Sequence, residues 1–290
     1  MRMVACDLDG TIVRPDGTVS QRTVAALAAC EQAGVRVVFV TGRPPRWMAP
    51  VASATGHHGV AVCANGAIVY DLAAERVIAT RGIPSADVHG IARALRTALP
   101  GGAFALETVH GYRREPAYRP RWPGPDGPVA PLDELLADAP VVLKMLYRLE
   151  DGRADDMLAA ARGALDGLAE PVHSDAADSL LEIAALGVSK ASTLAVLAEQ
   201  QGLGPQDVVA FGDMPNDVPM LTWAGTGVAV ADAHPEALAA ASFVAPACVD
   251  DGVAQVVERL LAERSARSVA VPSDPGVPVP PDAGHGAAGS

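Results

Sequence analysis

Two carboxylates, Asp7 and Asp9, stand two residues apart directly after the apolar run Met3-Val4-Ala5-Cys6. If the extended geometry of that run continues, side chains at this spacing point the same way. Two like charges side by side are unfavourable unless something uses them, and a divalent metal is the evident use. An Asp-rich turn closing a strand is the plainer alternative, because Asp followed by Gly is also a turn signal. The first eleven residues do not separate the two. Further along, polar residues again follow apolar runs: Thr41-Gly42-Arg43, and Gly212-Asp213 with Asn216-Asp217 close behind. Lys190 stands in Gly187-Val188-Ser189-Lys190. Each piece has an ordinary explanation on its own. Thr41 and Ser189 can cap helices, Lys190 can be a solvated lysine, and Asp217 can complement a helix dipole. In this order, and at these strand ends, they read together as one site.

The elements that must position these residues are visible in the periodicity. Residues 3–6 form a short run ended by Gly10, as expected of a buried strand. Residues 20–34 read as a helix capped by Ser20 and stopped by Gly34, and residues 35–40 as a buried strand. Strand, helix, strand is a βαβ unit, which predicts parallel strands with a right-handed crossover. Residues 60–63 and 67–70 flank Asn65-Gly66, a strong hairpin signal.

From residue 83 to 186 the pattern changes to a helix (85–99), a strand (103–108) and a loop rich in Pro, Gly and Arg (111–131). A strand (141–147), a helix (153–168) and a strand (179–184) follow. This predicts an inserted α+β module. Alternating helices and strands then resume: a helix over 189–201, a strand over 208–211, a helix over 216–224 and a strand over 227–230. A helix over 235–241, a strand over 243–245 and a final helix from Asp250 or Asp251 to about residue 266 complete the pattern. The fold expected is α/β: a Rossmann-like, doubly wound parallel sheet from residues 1–82 and 187–266, with residues 83–186 inserted. Residues 267–290 lack periodicity and are expected to form a disordered tail.

Composition narrows the function classes. The chain has 290 residues, of which 50% are hydrophobic, so a wholly disordered chain is excluded. No apolar stretch reaches membrane-spanning length and the N-terminal run is too short for a secretory signal, so a soluble cytoplasmic protein is expected. Cys6, Cys30, Cys63 and Cys248 show no Cys-x-x-Cys spacing and are expected to be buried, reduced thiols. The seven His residues form no ligand pattern, and the Gly-flanked pair His57-His58 is expected at the solvated surface. A net charge of −12 argues against a nucleic-acid partner, without excluding a small anionic substrate.

Four ordered motifs now stand out: Asp7-x-Asp9-Gly10-Thr11, Thr41-Gly42-Arg43, Gly-Val-Ser-Lys190, and Gly212-Asp213-x-x-Asn216-Asp217 followed by Met220-Leu221. Together they resemble the haloacid dehalogenase superfamily of phosphatases. The insertion falls between the second and third motifs, and only residues 12–19 follow the first, which resembles the Cof-like branch with its type IIB cap. The resemblance spans the chain from Met1 to about residue 266 and is specific for the superfamily, not for a substrate. It implies Mg²⁺ as cofactor and a small phosphorylated metabolite as substrate, such as a sugar phosphate or phosphorylated cofactor. Asp7 is the implied nucleophile, forming an aspartyl-phosphate, and Asp9 the implied acid and base. Mg²⁺ would be held by the Asp7 carboxylate, the Asp9 backbone carbonyl and Asp213. Asp217 would complete the metal site from outside, orienting waters or Lys190. Thr41, the Gly42 amide and Lys190 would cradle the phosphoryl oxygens, with Asn216 on the phosphoryl group or a ligand water.

The chemistry suits these residue types. A phosphate ester is shielded by its own charge, so a nucleophile must be held in line while cations absorb that charge. A proton donor needs a raised pKa, which a neighbouring carboxylate and partial desolvation of Asp9 would supply. Arg43 suits either substrate contact or an ion pair with an acidic loop, and Asn65 either the cap hinge or its own turn. The polar candidates of the insertion are Glu107, His110, Tyr112, Arg113, Arg114, Lys144 and Glu182. Arg113-Arg114 fits a second anion site or a solvated loop, and Lys144 either faces a cleft or lies on an exposed sheet face. Two other functions share the motifs: a phosphomutase passing the group to a sugar hydroxyl, and a non-catalytic protein that binds a phosphorylated ligand.

Overall fold

The computed structural model describes residues 1–121 and 127–269. Strand β1 (Met3–Cys6) is buried along its whole length, as its unbroken apolar run requires. Helix α1 (Gln21–Gln32) starts at Ser20, whose hydroxyl accepts the Thr23 amide at 3.0 Å. The chain returns as β2 (Arg36–Val40), parallel to β1. Helix α2 (Ala49–Thr55) leads to β3 (Val60–Cys63), again parallel. Ala64, Asn65 and Gly66 then turn the chain at φ of 51°, 55° and 104° into the antiparallel strands β4 (Ile68–Asp71) and β5 (Arg76–Thr80).

Residues 83–185 build a second sheet. Strands β6 (Ile83–Pro84), β7 (Ala103–Thr108), β8 (Gly111–Arg114), β9 (Val141–Arg148), β10 (Ala169–Val172) and β11 (Leu180–Ala185) pair antiparallel throughout. Their order is β10-β11-β9-β7-β8, with β6 beside β9. Helices α3 (Ser85–Ala98) and α5 (Ala154–Ala164) cover one face, where Leu95, Phe104, Met145, Met157 and Ile183 share an apolar core. Helix α4 (Leu132–Leu136) adds Leu132 and Leu135 to it. Side chains alternate across a strand, so Glu107, Lys144 and Glu182 fall on the other face.

The chain then rejoins the first sheet through α6 (Lys190–Gln200), β12 (Val208–Gly212), α7 (Val218–Trp223), β13 (Thr226–Val230), α8 (Pro235–Ala240), β14 (Phe243–Ala245) and α9 (Gly252–Val269). The order is β14-β13-β12-β1-β2-β3-β4-β5. It brings the carboxyl ends of β12, β1 and β2 side by side, the edge where open α/β sheets bind ligands.

Several expectations are corrected. Helix α5 stops at Ala164, four residues short, and Gly167 takes φ of +69° beyond it. The helix expected over 216–224 opens as a 3₁₀ turn, Pro215–Asp217. Strands β5, β8 and β10 go unannounced in the sequence: β5 is exposed at every residue and carries no alternation, and β10 contains Pro171. His57 is buried, not solvated: its Nδ1 lies 2.7 Å from the Glu31 carboxylate and its ring packs edge-on against Phe39. The four cysteines are buried free thiols, as expected. Helix α9 continues past residue 266 to Val269, while residues 270–290 of the expected tail, and 122–126 of the expected loop, lie outside the described residues. Among the described residues no helix is long and apolar enough to cross a membrane.

Candidate active site

Asp7 ends β1, and its amide donates to the Phe211 carbonyl on β12 at 3.0 Å. Lys190 opens α6, which Ser189 caps by accepting the Ser192 amide. That start aims the lysine inward, where its Nζ lies 2.6 Å from Asp7 Oδ1 and 2.7 Å from Asp217 Oδ1. It is among the largest fully buried side chains in the protein. Asp217 Oδ2 accepts the amides of Asp213 and Met214, both at 3.1 Å, and so folds the loop after β12. Asp213 Oδ1 accepts the Thr11 hydroxyl at 3.0 Å. Gly10 explains itself here. It sits at φ +78°, and a Cβ at this position would run into the Asp213 carboxylate.

Three buried carboxylates thus face one ammonium. Burial pushes the Asp7 carboxyl up to about 7, with the Asp217 charge adding to the rise and Lys190 opposing it. Burial and the charges of Asp7 and Asp217 hold Asp213 well above the usual carboxylate range. Burial alone would lower Lys190, but Asp217 and Asp7 outweigh it and raise its pKa. With all three ionised the cluster would carry an excess of negative charge in a water-poor place. Protons relieve it in the raised carboxyls of Asp7 and Asp213, and a hard divalent cation bound by oxygen would relieve it in their stead. Asp7, Asp213 and Asp217 are close enough to share an ion. Both Asp217 oxygens are already engaged, one by Lys190 and one by two amides, so the free donor capacity belongs to Asp7 and Asp213.

Beside this cluster, Thr41 is buried at the end of β2, its hydroxyl oxygen accepting the Arg43 amide at 3.0 Å. Asn216 is buried too, its Nδ2 donating to Asn65 Oδ1 at 3.1 Å while its own Oδ1 has no partner. Asp9 departs from expectation: its side chain is 55% exposed, not desolvated, and is held by Arg43. The acidic-loop partner considered for Arg43 is therefore Asp9 itself.

The second sheet lies over these residues. Lys144 points inward, Nζ donating to the Gly42 carbonyl at 2.8 Å and to Glu182 Oε2 at 2.6 Å. Glu182 also accepts Asn65 Nδ2 at 2.8 Å and the Ser174 hydroxyl at 2.5 Å. Burial would raise the Glu182 carboxyl, but Lys144 and Ser174 bring it below the usual value. Asn65 thus bridges the two sheets. Gly66 beside it sits where a Cβ would strike the Ser189 carbonyl, so the turn packs directly on the start of α6. Glu107 pairs with Arg46 through two bonds of 2.6 Å, a contact the sequence did not announce because nothing links residues 61 positions apart. Arg113 belongs neither to an anion site nor to a solvated loop. It is buried and bonded to Asp138 and the Leu135 carbonyl. Arg114 donates to the Tyr118 carbonyl at 3.2 Å, Tyr112 packs edge-on to Tyr118, and His110 is exposed.

A family model described as haloacid dehalogenase-like hydrolase matches residues 4–257. The chain is 29% identical over 272 residues to a pyridoxal phosphate phosphatase of Escherichia coli, covering 88% of this chain and 97% of that protein. It is 26% identical over 257 residues to a 5-amino-6-(5-phospho-D-ribitylamino)uracil phosphatase of Bacillus subtilis, covering 89% and 94%. A solved haloacid dehalogenase-like hydrolase from B. subtilis superimposes with a TM-score of 0.75 at 22% identity, over 90% of this chain and all of that one (100%), a likeness of fold. On the family match, the chain belongs to the haloacid dehalogenase-like hydrolases.

Proposed function

We propose that this hydrolase removes the phosphate from a small phosphorylated metabolite, with Asp7 as nucleophile and Mg²⁺ as cofactor. One observation carries the reading: Asp7, Asp213 and Asp217 are buried together with Lys190 as the ammonium among them, at the ligand-binding edge of a parallel sheet. Both curated relatives described above are named for dephosphorylating small metabolites, which supports the substrate class. Asp7 attacks phosphorus as its carboxylate, the P–O bond to the leaving group breaks, and the phosphoryl group is carried on Asp7 until water displaces it. Asp9 gives its proton to the leaving oxygen and takes one back from the attacking water, once Arg43 lets it go. Lys190, the Thr41 hydroxyl and the Gly42 amide meet the phosphoryl oxygens, and Asn216 contacts the phosphoryl group or a water on the metal. Asp7, Asp213 and the Asp9 carbonyl would hold the metal, whose charge offsets that of the phosphoryl group in flight.

In this reading the second sheet is a cap whose Lys144 and Glu182 roof the site and meet the leaving group. The test is phosphate release across a panel of phosphomonoesters. Turnover should require Mg²⁺, stop with EDTA, and vanish in Asp7→Asn. Undiminished turnover in EDTA or in Asp7→Asn would defeat the mechanism.

A further inference from the structure

A second cluster spans the two sheets away from Lys190. Asp155, at the start of α5, accepts His173 Nε2 at 2.8 Å and His234 Nε2 at 3.1 Å on the same oxygen, Oδ1. His173 follows β10 in the cap, whereas His234 caps α8 in the first sheet's half of the chain. The three residues lie close enough to suggest a metal site. Their other ring nitrogens speak against it. His234 Nδ1 accepts the Glu236 amide at 3.2 Å, so its proton sits on Nε2, where a metal would need a bare lone pair. His173 Nδ1 is buried with no partner and so has no acceptor for the proton that ligation would move there. Ligating imidazoles almost always donate from the second nitrogen, and neither of these does. The cluster is two N–H groups donating to one carboxylate.

What this arrangement touches is more informative. The backbone amide of His234 donates to the Asp213 carbonyl at 2.7 Å. His234 therefore grips Asp155 with its ring and the loop of the expected metal ligand with its main chain. Asp155 is in turn held by His173, a fully buried ring. A bidentate pair, Arg162 to Glu236 at 3.1 and 2.9 Å, ties the same two helices at the surface.

Further contacts of the cap fall elsewhere along the sheet: Glu107 on Arg46 and Lys144 on the Gly42 carbonyl, both after β2, and Glu182 on Asn65, after β3. In the order β13-β12-β1-β2, the cap is thus fastened on both sides of the strand that carries Asp7. The β2 side ends at the expected phosphate loop, and the β13 side ends at the expected metal loop.

We propose that Asp155 and His234 are positioning residues that report cap seating to the metal loop. The Asp155–His234 bond forms only with the cap in place, and it fixes the His234 amide that orients the Asp213 carbonyl. Removing Asp155 then loosens Asp213 although Asp155 touches neither metal nor substrate. This rests on Asp213 being a metal ligand, so the test reads the loop and the metal separately, in the full chain without substrate.

Hydrogen exchange on the peptide around His234 reads the relay itself, and Mn²⁺ binding followed by electron paramagnetic resonance reads the metal. In Asp155→Ala the His234 amide should exchange about tenfold faster, and Mn²⁺ should bind about tenfold more weakly. Asp155→Asn keeps an oxygen acceptor and should recover most of both. Arg162→Ala removes only an exposed pair of the same interface and should move neither. Unchanged exchange and unchanged Mn²⁺ affinity in Asp155→Ala would overturn the proposal, as would equal effects from Arg162→Ala, which would mean general cap loosening. Wild-type protein that binds no Mn²⁺ at all would instead remove the metal reading, and this inference with it.

Discussion

Arg43 grips Asp9 with two arms of its guanidinium, Nε donating to Oδ2 at 2.8 Å and Nη2 to Oδ1 at 2.5 Å. The expected proton donor is therefore held at the mouth of the site and must be released to work. The pair is partly exposed, with side chains 22% and 55% accessible, so its loss costs little stability, about 0–1 kcal/mol. Asp9→Asn should fold normally, with a melting temperature close to that of the parent, yet lose about a hundred- to ten-thousand-fold in kcat on every substrate. Arg43→Ala should keep kcat within about tenfold and show its effect chiefly in KM. Near-normal kcat in Asp9→Asn would remove its acid and base role.

Lys190 behaves differently because it is buried between Asp7 and Asp217. Replacing it with Met leaves the carboxylate cluster without its ammonium, a loss of about 3–5 kcal/mol for a buried pair broken on one side. Urea unfolding in EDTA should show that loss, and pairing the change with Asp217→Asn should recover part of it. Activity should not return, since in the proposed mechanism Lys190 is a cation for the phosphoryl oxygens. Full stability of Lys190→Met in EDTA would show that the cluster is not charged as described.

The raised carboxyls of Asp7 and Asp213 make a prediction about pH for the metal-free protein. In the unfolded chain both groups lose their protons in the ordinary carboxylate range, whereas in the fold Asp7 keeps its proton up to about 7 and Asp213 titrates well above the usual value. The folded state then binds more protons across that window, so stability must fall as pH rises through it. Thermal melts in EDTA should show the midpoint dropping between about pH 5 and about pH 8. Saturating Mg²⁺ should flatten the slope by favouring the ionised carboxylates. A midpoint that rises with pH in EDTA would contradict the sign.

Much of this site is legible in the chain because the sheet does the positioning. A buried strand such as Met3–Cys6 is an unbroken apolar run, and the residues just after it must sit at the sheet's edge. Asp7, Thr41 and Asp213 are placed on that ground and Lys190 by the family motif; the fold brings all four together. Asp9 escapes it because the chain leaves extended geometry after Asp7: Leu8 is buried in the core while Asp9 faces solvent. The contacts between the sheets are invisible for another reason. Glu107 meets Arg46, and Asp155 meets His234, across long sequence separations that no local period encodes. His57 is hidden likewise, since only the fold brings Phe39 and Glu31 around its ring.

The structure separates two cap residues that the sequence left together, and a substrate panel can check the separation. Arg113 is bonded to Asp138 and to the Leu135 carbonyl, both within the cap. Lys144 instead reaches the Gly42 carbonyl, one residue from Thr41, and pairs with Glu182 over the expected phosphate loop. Arg113→Ala should thus weaken the fold by about 1–3 kcal/mol, through a buried carbonyl left unpaired, while leaving the order of preferred substrates unchanged. Lys144→Met acts at the roof of the site and should alter kcat/KM unevenly across the panel. Because it also strands the buried Glu182 carboxylate, it should destabilise the protein by about 3–5 kcal/mol. Lys144→Met with Glu182→Leu removes both charges and should restore much of that stability without restoring the parent preference. Recovery of the parent substrate order in the double variant would mean that the pair only holds the cap in place. A changed order in Arg113→Ala would mean that specificity reaches further from Gly42 than the hydrogen bonds do.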